Sequence, residues 1–125
     1  MVMELSGLDV YKLARELSKL GWGIYQKLDW KTQKIMGDQF IEATDSVGAN
    51  IAESYGRFHF LDKNKFLYNA RGSLSEASLY WVELLHERKK IDDHSCSQYK
   101  STAQQLGIKL NNLISATKKA YQDNH

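Results

Sequence analysis

The sequence predicts an all-α fold: one domain over residues 1–125, built as an antiparallel up-down-up-down four-helix bundle. Three observations carry that prediction. The chain contains no proline. Its apolar residues recur at steps of three and four rather than two, the helical period. The polar breaks between the periodic segments are short, which makes consecutive helices run antiparallel.

In chain order, Val10, Leu13, Leu17, Leu20, Ile24 and Leu28 mark the first helix. Phe40, Thr44, Val47, Ile51 and Tyr55 mark the second, over residues 38–57. Phe66, Ala70, Leu74, Ala77, Trp81 and Leu84 mark the third, and Tyr99, Ala103, Leu106, Leu110, Leu113, Thr117 and Tyr121 the fourth. The breaks fall at "DWKTQKIMG", "GRFHFLD" and "IDDHS". Asp62, and Asp93 or Ser95, are the expected N-caps of helices 3 and 4, because their side-chain oxygens accept from free backbone amides.

With 42% hydrophobic and 26% charged residues, the composition is that of an ordinary water-soluble domain. A chain of this length buries roughly two-thirds of its unfolded surface and needs no disulfide or metal. Its single cysteine, Cys96, has no intramolecular partner, so nothing points to an oxidising compartment. The segment "MVMELSGLDVYKLAREL" lacks the pattern of a signal peptide, and no apolar run approaches the ~20 residues of a membrane span. The expected location is the cytoplasm, away from any membrane. A formal net charge of +2 argues for no particular partner.

The stretch "DSVGANIAESYGR" poses a problem, because Gly48 and Asn50 sit inside a helix that both disfavour, Gly by about 1 kcal/mol against Ala. Close packing would compensate. Gly48, Ala49 and Ala52 make one side of helix 2 shallow, and Gly72, Ser73 and Ser75 of helix 3 are equally small. The expected arrangement is a tight seam between helices 2 and 3, with Asn50 bonding across it to set their register. Tyr55-Gly56-Arg57 closes helix 2 into a turn. Glu53 and Arg57 are spaced for an i,i+4 ion pair, which Arg71 or Glu76 would extend. The competing reading makes the polar stripe of Ser46, Asn50, Glu53 and Arg57 a ligand or partner site.

These residues also carry a resemblance. "SVGANIAESYGR", followed by "ARGSLSEASLYWVELL", resembles the four-helix-bundle family of 23S rRNA intervening-sequence proteins, to which the accessory variability determinant proteins of diversity-generating retroelements are related. Ser46, Asn50, Ile51, Ala52, Glu53, Gly56 and Arg57 match the first motif of that family, and Ala70, Gly72, Ser73, Leu74 and Glu76 the second. Gly48 stands where many members have proline, and Ser54 replaces a glycine. The resemblance spans nearly the whole chain. It implies a bacterial bundle assembled into a homopentameric ring and, for the retroelement relatives, binding to nucleic acid and to a reverse transcriptase. It implies no catalytic residues.

The charge is unevenly distributed. Between residues 96 and 122 the fourth helix carries Lys100, Lys109, Lys118 and Lys119 and no acid, whereas helix 2 sets Asp38, Glu42, Asp45 and Glu53 against Arg57. "ERKK" adds Arg88, Lys89 and Lys90 at the end of helix 3. These seven cations are the candidate nucleic-acid-binding residues. A modest patch repeated around a ring becomes a large phosphate-binding surface. The structural alternative is that basic residues complement helix C-termini and that helix 4 lies beside the acidic helix 2. The lysines form no single stripe on the helical wheel.

Two partial catalytic patterns occur. Glu83 and His86 have the Glu-x-x-His spacing of di-iron bundles, but the second copy that such a site needs is missing. Arg88 and His94 fit an Arg-x5-His spacing that resembles the motif of HEPN ribonucleases. "GWG" at Gly21–Gly23 lies within a helix and lacks the rest of a dinucleotide fingerprint. Cys96, near a helix start, is expected to be a bystander, with a lowered pKa as the alternative. Trp22, Trp30 and Trp81 are expected in the core or at subunit contacts, with base stacking as the alternative. The expectation is therefore a non-enzymatic homo-oligomeric scaffold with no cofactor and no metal, which binds RNA, DNA or a nucleic-acid-processing protein. A protein-only adaptor and an RNA-cutting enzyme are the alternatives.

Overall fold

The computed structural model describes residues 8–124; residues 1–7, where the segment read for a leader begins, lie outside them. Among the described residues the chain forms four helices. Helix α1 is Asp9–Lys27. Helix α2 covers residues 30–55, with a wide π-type turn at Gln33–Gly37 leading into Asp38–Tyr55. Helix α3 covers residues 60–87 and contains a second π-type turn at Glu76–Trp81. Helix α4 is Asp93–Asp123. Each helix packs on its two neighbours, α1 on α2 and α4, α3 on α2 and α4, in the up-down-up-down order. None of the described helices is long and apolar enough to cross a membrane.

Helix α2 begins at Trp30 rather than Asp38, so most of "DWKTQKIMG" is helical rather than a break. Asp29 starts it, accepting from Thr32 N (2.9 Å) and Thr32 Oγ1 (3.0 Å). Helix α4 starts the same way. Asp92, not Asp93 or Ser95, is its N-cap, and it accepts from Ser95 N (2.7 Å) and Ser95 Oγ (3.1 Å). The repeated pattern is Asp-x-x-Thr/Ser, in which one carboxylate satisfies an orphan amide and a hydroxyl together. Asp62 is not a cap; it lies in the first turn of α3, where its charge still suits the helix dipole. Gly37 lets α2 fold back onto the end of α1, since a Cβ there would stand 3.0 Å from Leu28 Cδ1 and 3.2 Å from the Tyr25 ring. Tyr25 ties the corner by donating to Asp38 Oδ1 (2.6 Å).

The core follows the periodic pattern along most of the chain; on α3, however, Phe66 is half-buried and Leu67 takes the core position, and a π turn then shifts the pattern again. On α3, Ala70, Leu74 and Ala77 are buried as the spacing predicts. Beyond that point Val82 and Leu85 are fully buried, and Trp81 and Leu84 are displaced to the rim. The turn at Glu76–Trp81 adds one residue to the helical repeat, so the inward face slips by one position. On α4, Ile114 is buried, whereas Leu113 packs at the core's edge and Tyr121 is exposed.

At the centre, Thr44 of α2 meets Tyr99 of α4 across the diagonal, Oγ1 to OH at 2.7 Å, both side chains fully buried. Thr44 Oγ1 also donates to Phe40 O (2.8 Å). A threonine hydroxyl has one proton, so Tyr99 is the donor to Thr44. Burial chiefly raises the Tyr99 phenol well above its ordinary pKa, and Asp45 adds to the rise. The Phe40 and Tyr99 rings pack at 5.2 Å between centroids. Gly21 of α1 completes the contact, since a Cβ there would come within 2.9 Å of Thr44 Cγ2.

Thr44→Val leaves the Tyr99 hydroxyl buried without an acceptor and is expected to cost about 1–3 kcal/mol in urea unfolding. Adding Tyr99→Phe removes the orphaned group and should recover part of that loss; strict additivity in the double-mutant cycle would show that the two hydroxyls are not coupled.

The Asp29 and Asp92 carboxyls lie below the ordinary carboxylate pKa, chiefly because the amides of Thr32 and Ser95 bond the charged form. Their contribution to stability is present above the unfolded value of about 3.9 and is lost as pH falls through the lower folded values. The double variant Asp29→Asn/Asp92→Asn keeps both acceptors but cannot titrate. Its urea midpoint should fall less steeply than the parent's between about pH 5 and about pH 2.

Candidate functional site

Helices α2 and α3 pack closely, but Gly48, Asn50 and Gly72 do not carry that contact as the sequence suggests. Gly48 faces α1, where a Cβ would make an ordinary 3.5 Å contact with Ala14 Cβ. Asn50 donates to Ser46 O of its own helix (2.8 Å), because a carbonyl one turn back is nearer than anything on α3. Gly72 has open space where a Cβ would be, so no helix presses on it. The Glu53–Arg57 ion pair is present at 3.1 Å, and the Arg57 guanidinium lies 4.9 Å from the Phe66 ring centroid. Arg71 does not extend that pair; it reaches Asn111 of α4 (3.3 Å) and lies over Tyr68. Glu76 instead accepts from Trp81 Nε1 (2.8 Å), a contact across the π turn. Helix α2 ends at Tyr55, and Gly56 and Arg57 turn away from it as expected. Ala49, Glu53, Gly56 and Arg57 surround a shallow exposed notch, and Ser73 is half-buried.

A long open groove runs between α3 and α4. Its lining is small and mostly uncharged, with Ser75, Ser78, Ser97, Ser101 and Gly107 along it and Leu79 exposed at 72%. The π turn of α3 supplies Ser78 and Leu79, which explains why periodicity alone did not single them out. Trp22 and Trp30, expected in the core or at subunit contacts, are half and three-quarters exposed.

The candidate nucleic-acid-binding residues separate into three groups. Lys100 and Lys109 bridge to neighbouring helices, Lys100 to Glu83 of α3 and Lys109 to Asp9 of α1 (3.5 Å). Their acidic partners are thus on α3 and α1, not on the acidic helix 2, which lies across the bundle diagonal from α4. Arg88, Lys89 and Lys90 form the exposed turn after α3 at one end of the bundle. Lys118 and Lys119 lie near the C-terminus of α4 at the other end. The 31 residues of α4 put about 45 Å between these ends.

Lys89 is the one non-glycine residue with positive φ (59°) among the described residues. Its N–H bonds to His86 O, and the Lys90 N–H to Leu85 O, a pair of bonds that normally closes around a left-handed glycine. Arg88 directs Nη1 at Met36 Sδ (2.9 Å), while His94 stands exposed in the first turn of α4. Glu83 and His86 are each engaged, by Lys100 and by Asp93 Oδ1 (2.7 Å) respectively. No cluster of three or more His, Cys, Asp or Glu side chains suited to a metal occurs among the described residues. The Cys96 thiol is raised rather than lowered, mainly by burial, with Lys100 opposing and Glu83 and Asp93 reinforcing the rise.

Comparison with known proteins agrees with this architecture. A search of curated proteins returns no match. Among solved structures, the fold matches a crystal structure from Bacteroides thetaiotaomicron described as a protein of unknown function from the S23 ribosomal protein family. The TM-score is 0.78 at 24% identity, covering 85% of this chain and 95% of that one. The family model described as 23S rRNA-intervening sequence protein matches residues 6–112. The chain therefore belongs to the 23S rRNA-intervening sequence protein family.

Proposed function

We propose that this protein is a non-enzymatic scaffold that assembles into a homo-oligomer, a pentamer by analogy with its resemblance group, and holds nucleic acid or a nucleic-acid-processing protein on its basic surfaces. The observation that carries the reading is the outward placement of the motif. Gly72 has free space beside it, and Glu53, Gly56 and Arg57 rim an exposed notch, so these residues are available to a second chain rather than spent on the core. The α3–α4 groove, with Leu79 exposed among serines, supplies an apolar, charge-poor strip suited to a subunit contact. Lys89, Lys90 and Lys119 form no ion pair among the described residues, which leaves their charge for phosphate. A reverse transcriptase is one class of protein partner that fits, through the retroelement relatives.

Light scattering on the purified protein should give a mass several times the 14.4 kDa of one chain. Leu79→Glu, on an exposed side chain, should reduce it to a monomer with unchanged helicity. A monomeric parent protein would overturn the assembly reading. Fluorescence anisotropy against structured RNA and duplex DNA should show affinity that falls steeply with salt. Absence of binding at low salt would leave a protein-only adaptor as the account of the bundle.

Lys89→Gly relieves the left-handed strain and should raise stability by roughly 1 kcal/mol. The same substitution should weaken nucleic-acid binding if the turn contacts phosphate. Unchanged affinity would remove Lys89 from the binding surface.

A further inference from the structure

The end of the bundle where α2 turns into α3 and α4 finishes carries a feature that charge alone does not explain. Phe58, in the turn, is 93% exposed. Phe60, at the start of α3, stacks on Tyr121 of α4 with ring centroids 4.1 Å apart and planes within 14°. These rings line a cleft of about 580 Å³ together with Ala116, Ala120 and Lys63, and Phe58 meets His59 of the same lining edge to face. Lys63 and Lys119 make no ion pair among the described residues. Lys118 is held beside the Tyr68 ring (5.1 Å to its centroid), and Arg57 and Lys65 lie near Phe66. Asp62 and Asp123 are the nearby carboxylates in sequence, and neither forms an ion pair with these lysines.

A nearly fully exposed phenylalanine beside stacked rings, with an unpaired lysine in the same cleft, suits a ligand that carries π-faces and negative charge on one chain. From this geometry we propose that the cleft bounded by Phe58, Phe60 and Tyr121 is a stacking site for unpaired bases of single-stranded nucleic acid, with Lys63 taking a flanking phosphate. The proposal rests on the nucleic-acid reading above and deepens it by naming the form that is bound. A duplex keeps its base faces stacked within itself and offers only its backbone to this end, whereas a single strand or loop offers both features. The α3–α4 groove contrasts with it, being aliphatic and serine-lined and lacking stacked rings.

The test is anisotropy of the full-length protein with three labelled probes of equal length: a single-stranded RNA, its duplex, and a backbone carrying abasic sites. The parent should bind the single strand most tightly. Phe58→Ala should lose roughly 5- to 100-fold on the single strand, the range for removing one stacked base. It should leave abasic binding unchanged, and Phe58→Tyr should restore the affinity. Lys63→Glu should weaken all three probes and flatten the salt dependence. Equal parent affinity for the abasic and base-bearing strands, or unchanged binding by Phe58→Ala, overturns the stacking site while the broader nucleic-acid reading stands. No binding of any probe at low salt overturns both.

Discussion

The hydroxyl relay at the bundle centre constrains everything around it. Tyr99 donates to Thr44, and Thr44 donates to the Phe40 carbonyl, so each proton has one place to go. The two side chains belong to diagonally opposed helices, which fixes α4 against α2 in height as well as in rotation. Gly21 brings α1 onto the same threonine. Three helices thus converge on one buried threonine. Leu and Val contacts tolerate small slides between helices, but a buried hydroxyl pair does not, because a slide would strand the Tyr99 hydroxyl in a region of low dielectric.

Stability and surface charge are therefore largely separate matters in this chain. The interhelical ion pairs, Lys100 with Glu83 and Lys109 with Asp9, lie on exposed side chains where such pairs contribute little. Charge on the outside can change without endangering the fold. The two ends of the bundle also differ in character: one presents a basic turn at Arg88–Lys90, the other mixes lysines with open aromatic rings.

Much of the architecture was legible in the sequence because it depends on spacing. Val10, Leu17, Ile24, Phe40, Val47, Ile51, Leu106 and Leu110 are buried where a period of 3.6 puts them. What escaped depends on local geometry that spacing does not encode. The π turn in α3 inserts one residue and hands the core positions from Trp81 and Leu84 to Val82 and Leu85. Thr44 was read on the inward face, but its partner Tyr99, 55 residues away, could not be paired with it from either position alone. Asn50 was assigned a contact across to α3, and its own helix supplied a nearer carbonyl. At the surface, the separate cations were legible, but their division between two ends was not. "GRFHFLD" was read as a break, and its rings gain meaning only when the end of α4 folds beside them.

The order in which the helices meet has a kinetic consequence. Three of the four interhelical contacts join segments consecutive in the chain through short turns, and only the α1–α4 contact spans nearly its whole length, as the Lys109–Asp9 bridge does. Contacts of low sequence separation close early because little chain entropy is lost in forming them. The absence of proline also removes the slow isomerisation that delays many chains by tens of seconds. A single fast refolding phase follows for the chain, with docking of α1 onto α4 as its closing step. Any slower, concentration-dependent phase then reports the joining of one chain to another.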